Sequence, residues 1–191
     1  MPTNNASQMP RMSRDPARVL IYGFGPYRQF QTNVSEMIVR DFPRIPRLRR
    51  IVFQVKFNKV QFIKVITHYR PDVILGLGQC SRGSLLRIET ATYNRKRNDK
   101  KERPRPIIRG GALKLSTNLC LDLGREGRPS HYPGDYVCNY SMYVILQWVR
   151  RRRAQSRLGF VHIPRKYDPK KATKLLARAL RHIIEVKKTP I

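Results

Sequence analysis

The stretch that decides the fold is residues 71–79, PDVILGLGQ. Proline and aspartate open it, and an apolar run follows with no polar alternation. A strand with one wet face alternates, whereas an unbroken run suits a strand covered on both faces, as in the middle of a parallel sheet. Working outward, residues 18–24 (RVLIYGF) predict a second buried strand and residues 49–55 (RRIVFQV) a third. Between them Asn33 and Ser35 are cap residues for a helix reaching about Phe42. Asn58 caps KVQFIKVITHY, whose apolar face is expected to include Val60, Ile63 and Ile66. Residues 158–163 (LGFVHI) predict another buried strand. Asp168 and Pro169 then start a helix with a stripe of Ala172, Leu175, Leu176, Ala179, Leu180 and Ile183.

Strand and helix in alternation predict an α/β fold: a single three-layer α/β/α domain around a mostly parallel twisted sheet. The expected domain spans 18–187, with a polar tail at 1–17 and a short one at 188–191. Residues 84–94 (SLLRIETATYN) alternate and predict one longer strand. Residues 110–133 have weak signals, and Gly124, Gly127, Pro129 and Pro133 leave little room for a long helix.

The 191-residue chain has 40 Lys and Arg against 12 Asp and Glu, a formal net charge of +28. Such a balance attracts nucleic acid or another polyanion. Two basic stretches would supply the contacts, RKRNDKKERPRPIIR at 95–109 and RRRR at 150–153. The first also reads as a solvated excursion, and the second also complements a helix C-terminal dipole. Both would hold phosphates through counterion release, without base stacking, because aromatic residues are sparse in them. No apolar run is long enough to span a membrane. The start of the sequence lacks the apolar core of a signal peptide, and the odd cysteine count suits a reducing compartment; the cytoplasm is the expected location. No Cys or His spacing matches a zinc site, so neither metal nor cofactor is expected.

Residues 134–148, GDYVCNYSMYVILQW, place Cys138 at the start of a helix whose face carries Met142, Ile145, Leu146 and Val149. A lone cysteine in such a setting is more often a packing residue. A helix N-terminus, however, offers partial positive charge that favours a thiolate, so Cys138 is also a candidate nucleophile. His162, at the end of the GFVHIP strand, is the candidate base, and Glu89, in LLRIETATY, the candidate carboxylate to orient it. Each has a plainer alternative: His162 as a hydrogen-bonded core residue, Glu89 as the partner of Arg87. Cys80 is a rival nucleophile without a helix to polarise it, and Cys120 is expected to be structural. Strand ends such as Gly23–Pro26, Gly76–Gln79, Glu89 and His162 would gather at one crevice.

These blocks together resemble the pyroglutamyl peptidase (pyrrolidone-carboxylate peptidase) family of cysteine peptidases, over residues 18–167. The resemblance lies in GFGPYRQFQTNVS (23–35), PDVILGLGQ with IETATYN (71–79 and 88–94), GDYVCNYSMYVIL (134–146) and GFVHIP (159–164). It implies a thiol peptidase that hydrolyses the amide after an N-terminal pyroglutamate or a similar small cap, through a triad of Cys138, His162 and Glu89 and an acyl-enzyme. It implies ring-binding walls at Phe24, Tyr27 and Val137 and polar contacts at Asn33 and Gln79. The implied partner is an N-terminally blocked peptide, and a homo-oligomer is allowed. The alternative is an inactive relative that binds RNA or another polyanion. Some positions depart from the family: Tyr27-Arg28-Gln29 replaces Phe-Gly-Gly, Val34 replaces a proline, and Thr90 replaces the arginine after the triad glutamate.

Overall fold

The computed structural model describes residues 16–27 and 30–186. The tails expected at 1–17 and 188–191 fall almost wholly outside these residues, as do Arg28 and Gln29.

The chain alternates as its sequence pattern demands. Strand β1 (Val19–Phe24) leads through helix α1 (Val34–Arg40) to β2 (Leu48–Phe53), and through α2 (Lys59–Tyr69) to β3 (Val73–Cys80). Both helices start at the expected caps: Asn33 accepts from the Ser35 N–H and Asn58 from the Val60 N–H. After β4 (Leu86–Glu89), β5 (Ala91–Tyr93), β6 (Lys114–Ser116) and β7 (Gly127–Ser130) come α3 (Val137–Arg151), β8 (Arg157–Pro164) and α4 (Pro169–Val186). The main sheet has the order β2-β1-β3-β8-β4-β7, and β5 pairs with β6 in a separate ribbon. β2, β1, β3 and β8 are mutually parallel, whereas β4 runs antiparallel to β8. None of the helices among the described residues is long and apolar enough to cross a membrane.

The unbroken apolar runs have their cause in two cores, one on each face of the sheet. Alternate residues serve alternate faces. Val19 and Ile21 of β1, Leu75 and Leu77 of β3, and Val161 and Ile163 of β8 pack under α1 and α4. Leu20, Tyr22 and Phe24, with Ile74, Leu158 and Phe160, pack under α2 and α3. The fold is therefore the expected three-layer α/β/α arrangement.

Four local expectations differ from the structure. Val60 is 67% exposed, because α2 turns Phe62 and Ile66 inward instead. Residues 84–94 are two strands, because the chain leaves the main sheet after Glu89 to pair with β6. Cys120, expected to be structural, is exposed. The 95–109 excursion is held by side chains: Asn94 Oδ1 accepts from the N–H groups of Ile107 and Ile108 at 2.8 and 2.9 Å. Its cations are also engaged, with Arg97 2.7 Å from Asp135 and Arg95 set between the rings of Tyr93 and Tyr132.

The start of α3 is anchored by Asn139. Its Oδ1 accepts from Thr92 Oγ1 at 2.7 Å and the Tyr93 N–H at 2.8 Å, and its Nδ2 donates to the carbonyls of Tyr93 and Arg95, each at 2.8 Å. All four hydrogen-bonding positions of this fully buried amide are used. Asn139→Ala leaves Tyr93 and Arg95 main-chain groups unpaired in the interior. The expected loss is about 2–3 kcal/mol, a fall of about 5–10 °C in Tm by calorimetry.

Candidate active site

In the order β2-β1-β3, the chain crosses from one side of β1 to the other, which opens a crevice at the carboxyl ends of β1 and β3. A cleft of about 250 Å³ lies there. Phe24 and Tyr27 reach it from the end of β1, Asn33 from the cap of α1, Gln79 from β3 and Val137 and Cys138 from the first turn of α3. All five residues expected to contact substrate therefore line one cavity beside the candidate nucleophile.

Small residues in β3 make room for it. A Cβ on Gly76 would meet the rings of Phe160 and Tyr22 at 2.4 and 2.6 Å. A Cβ on Gly78 would lie 2.6 Å from Cys138 Sγ, 2.9 Å from the Phe160 ring and 3.0 Å from His162 Cδ2. The thiol and the Nε2 edge of the imidazole thus border the same small space over Gly78. On the other edge, His162 Nδ1 is 2.7 Å from Glu89 Oε1. Both residues are buried, Glu89 completely. The contact follows from the sheet: β4 pairs antiparallel to β8 with Arg87 opposite His162 and Glu89 opposite Phe160. Glu89 and His162 are then diagonal neighbours on one face, within reach of long side chains. The structure so brings Glu89, His162 and Cys138 together. Where the family arginine after the glutamate is missing, Arg87 places its Nε 3.9 Å from the same carboxylate oxygen.

The thiol differs from the expectation of an acidified sulfur. Burial pushes Cys138 up to about 12, with the negative charge of Glu89 and then Cys80 adding to the effect. Arg87 and a main-chain hydrogen bond oppose this and are outweighed. The start of α3 still aims N–H groups at the cleft, since the first main-chain bond of the helix runs from Tyr140 back to Tyr136. A thread of hydroxyls fixes this turn to β1: Ser141 Oγ donates to the Cys138 carbonyl at 2.8 Å and lies 3.1 Å from Tyr22 Oη.

The polar contacts divide into structural and open groups. Asn33 is occupied by the fold: Oδ1 accepts from the Ser35 N–H and hydroxyl at 3.0 and 2.8 Å, and Nδ2 donates to the Gly25 carbonyl at 3.0 Å. Gln79 Oε1 accepts from the Val34 N–H at 3.0 Å, which leaves its amide N–H₂ as a donor. The rival thiol, Cys80, lines the same cleft, donates to the Arg82 carbonyl at 3.5 Å and is also pushed up by burial. Phe30, Tyr136 and Arg165 line the cleft without having been singled out in the sequence. Arg165 had a signal, its place directly after the GFVHIP strand end.

The chain is similar to known proteins in sequence and in fold. The sequence model of a family described as pyroglutamyl peptidase matches residues 113–177, which include Cys138 and His162. A pyrrolidone-carboxylate peptidase of Saccharolobus solfataricus is 27% identical over 166 positions, 76% of this chain and 78% of that protein. One from Pyrococcus furiosus is 26% identical over 167 positions, 77% and 80% of the two chains. The family these matches support is that of the pyroglutamyl peptidases. The fold agrees: the pyrrolidone carboxyl peptidase of Thermococcus litoralis superposes with a TM-score of 0.78 at 19% identity, covering 92% of this chain and all of that one. This similarity supports a peptidase function, and a peptide substrate fits it.

Two measurements test the site. Gly78→Ala forces apart the groups that border its α-carbon, and activity is expected to fall about tenfold or more while the fold survives. Glu89→Gln removes the charge that helps hold Cys138 protonated. Its expected effects run in opposite directions: iodoacetamide labelling of Cys138 at pH 8–10, read by peptide mass spectrometry, becomes faster, whereas turnover falls about 100-fold or more. In the unsubstituted protein, labelling is expected to rise with pH through 9 toward 12 instead of reaching a plateau below neutrality.

Proposed function

We propose that this protein is a cysteine-type peptidase that removes N-terminal pyroglutamate. The observation that carries the reading is the buried 2.7 Å contact of Glu89 with His162, whose far ring edge shares the space over Gly78 with Cys138 Sγ. Glu89 accepts a hydrogen bond from Nδ1–H, which holds that proton in place and leaves Nε2 as the basic nitrogen on the edge toward the sulfur.

Because burial keeps the thiol protonated, the sulfur is activated as it attacks. His162 Nε2 takes the Sγ proton while sulfur bonds to the pyroglutamyl carbonyl carbon. N–H groups of the first turn of α3 receive the oxyanion. The tetrahedral adduct collapses, the C–N bond breaks, and His162 returns the proton to the leaving amine. Water, deprotonated by His162, then attacks the thioester and releases pyroglutamate and the thiol. The five-membered lactam is small, neutral and largely apolar, which suits walls formed by Phe24, Tyr27, Val55 and Val137. Gln79 supplies the amide donor for its ring carbonyl. Asn33 shapes the wall from its cap position.

The alternative, a polyanion-binding scaffold without chemistry, draws on net charge and on the basic stretches at 95–109 and 150–153, whereas the cleft is mostly apolar and holds the thiol. The test is hydrolysis of pyroglutamyl-aminomethylcoumarin. Release of fluorophore is expected, with Cys138→Ala reducing it to background while circular dichroism stays unchanged. A folded protein that leaves pyroglutamyl amides intact, or a Cys138→Ala variant that retains turnover, overturns the reading.

A further inference from the structure

Arg165 lies at the rim of the cleft. It follows Pro164, the last residue of β8, and its main-chain N–H donates to the Cys80 carbonyl at 2.9 Å. Its guanidinium sits 4.6 Å from the centre of the Phe30 ring, and both residues line the cavity that holds Cys138. The residue is exposed, and among the described residues it has no carboxylate partner. Among the described residues lining the cleft it is also the one cation, and no carboxylate lines it. A positive charge held over an aromatic face, with its N–H fork free for an acceptor, is a built receptor for a carboxylate.

Its place in the chain says which part of a substrate it meets. In the proposed reaction His162 gives its proton to the leaving amine, so the peptide beyond the scissile bond departs past the end of β8. Arg165 stands three residues after His162 along that exit. The pyroglutamyl ring, being neutral, has no charge to offer it. We infer that Arg165 is a specificity-determining residue that favours substrates with an acidic residue, Asp or Glu, directly after the pyroglutamate. The inference rests on the peptidase reading above and deepens it.

The experiment compares kcat/KM for pyroglutamyl-Glu-amide, pyroglutamyl-Gln-amide and pyroglutamyl-Lys-amide at low ionic strength. Glu and Gln are nearly isosteric, so their ratio isolates charge and is unaffected by any general loss of activity in a variant. The protein is expected to prefer Glu over Gln about fivefold, the order that an exposed ion pair supplies. Added salt should shrink the preference. Arg165→Gln should bring the ratio to about one, and Arg165→Glu should invert the order so that Lys is favoured over Glu. Equal rates for Glu and Gln in the unsubstituted protein, or a preference that survives both substitutions, overturn the inference and leave the peptidase reading intact. Failure to cleave any of the three, or the coumarin amide, overturns the peptidase reading and this inference with it.

Discussion

The buried hydrogen bond between Glu89 and His162 is the constraint around which this molecule is arranged. A carboxylate with no exposed surface is costly unless a partner meets it. Here the partner is His162 of β8, and Glu89 reaches it because β4 runs antiparallel to β8. If β4 slipped by one residue against β8, Glu89 would turn to the opposite face, toward α1 and α4. The departure of the chain into β5 immediately after Glu89 belongs to the same arrangement, because it carries Thr92 and Tyr93 to the amide of Asn139. One change of strand direction thus sets the imidazole, and the ribbon that follows sets the helix bearing the thiol.

The state of the sulfur follows from its surroundings rather than from its helix. The N-terminal turn of α3 favours negative charge, but Cys138 packs against the apolar cluster that contains Phe160 and feels the nearby Glu89 carboxylate. Burial and Glu89 outweigh the helix and Arg87. The chemistry proposed for the site is therefore general-base activation during attack, with N–H groups of the helix start serving the oxyanion. The same dipole then acts on the charge that develops in the reaction instead of on the resting thiol.

The strong positive charge is handled in several distinct ways. Arg97 pairs with Asp135, Arg95 is held between two tyrosines, and Lys96 lies 5.3 Å from each of the rings of Phe57 and Tyr140. These side chains pin the 95–109 excursion against the start of α3, so the excursion forms part of the support for the site. Arg165 differs, since its ring contact leaves its charge facing the cleft.

Much of the fold was legible in sequence because burial on two faces leaves an unmistakable mark. The runs in β1, β3 and β8, the caps Asn33, Asn58 and Asp168, and the stripe of α4 each reflect a local rule. Cys138, His162 and Glu89 were legible as candidates because a thiol at a helix start and polar groups at strand ends stand out against apolar neighbours. What the sequence alone determined was the alternation of elements, the layers and the list of candidate groups. Tertiary structure alone decided the rest: that residues 84–94 divide between two sheets, that Val60 faces water, that Asn33 serves the fold, that Arg165 borders the cleft, and that its surroundings push the Cys138 thiol up. Each of these depends on which distant groups come together and how much water they exclude, and neither quantity is written in local spacing.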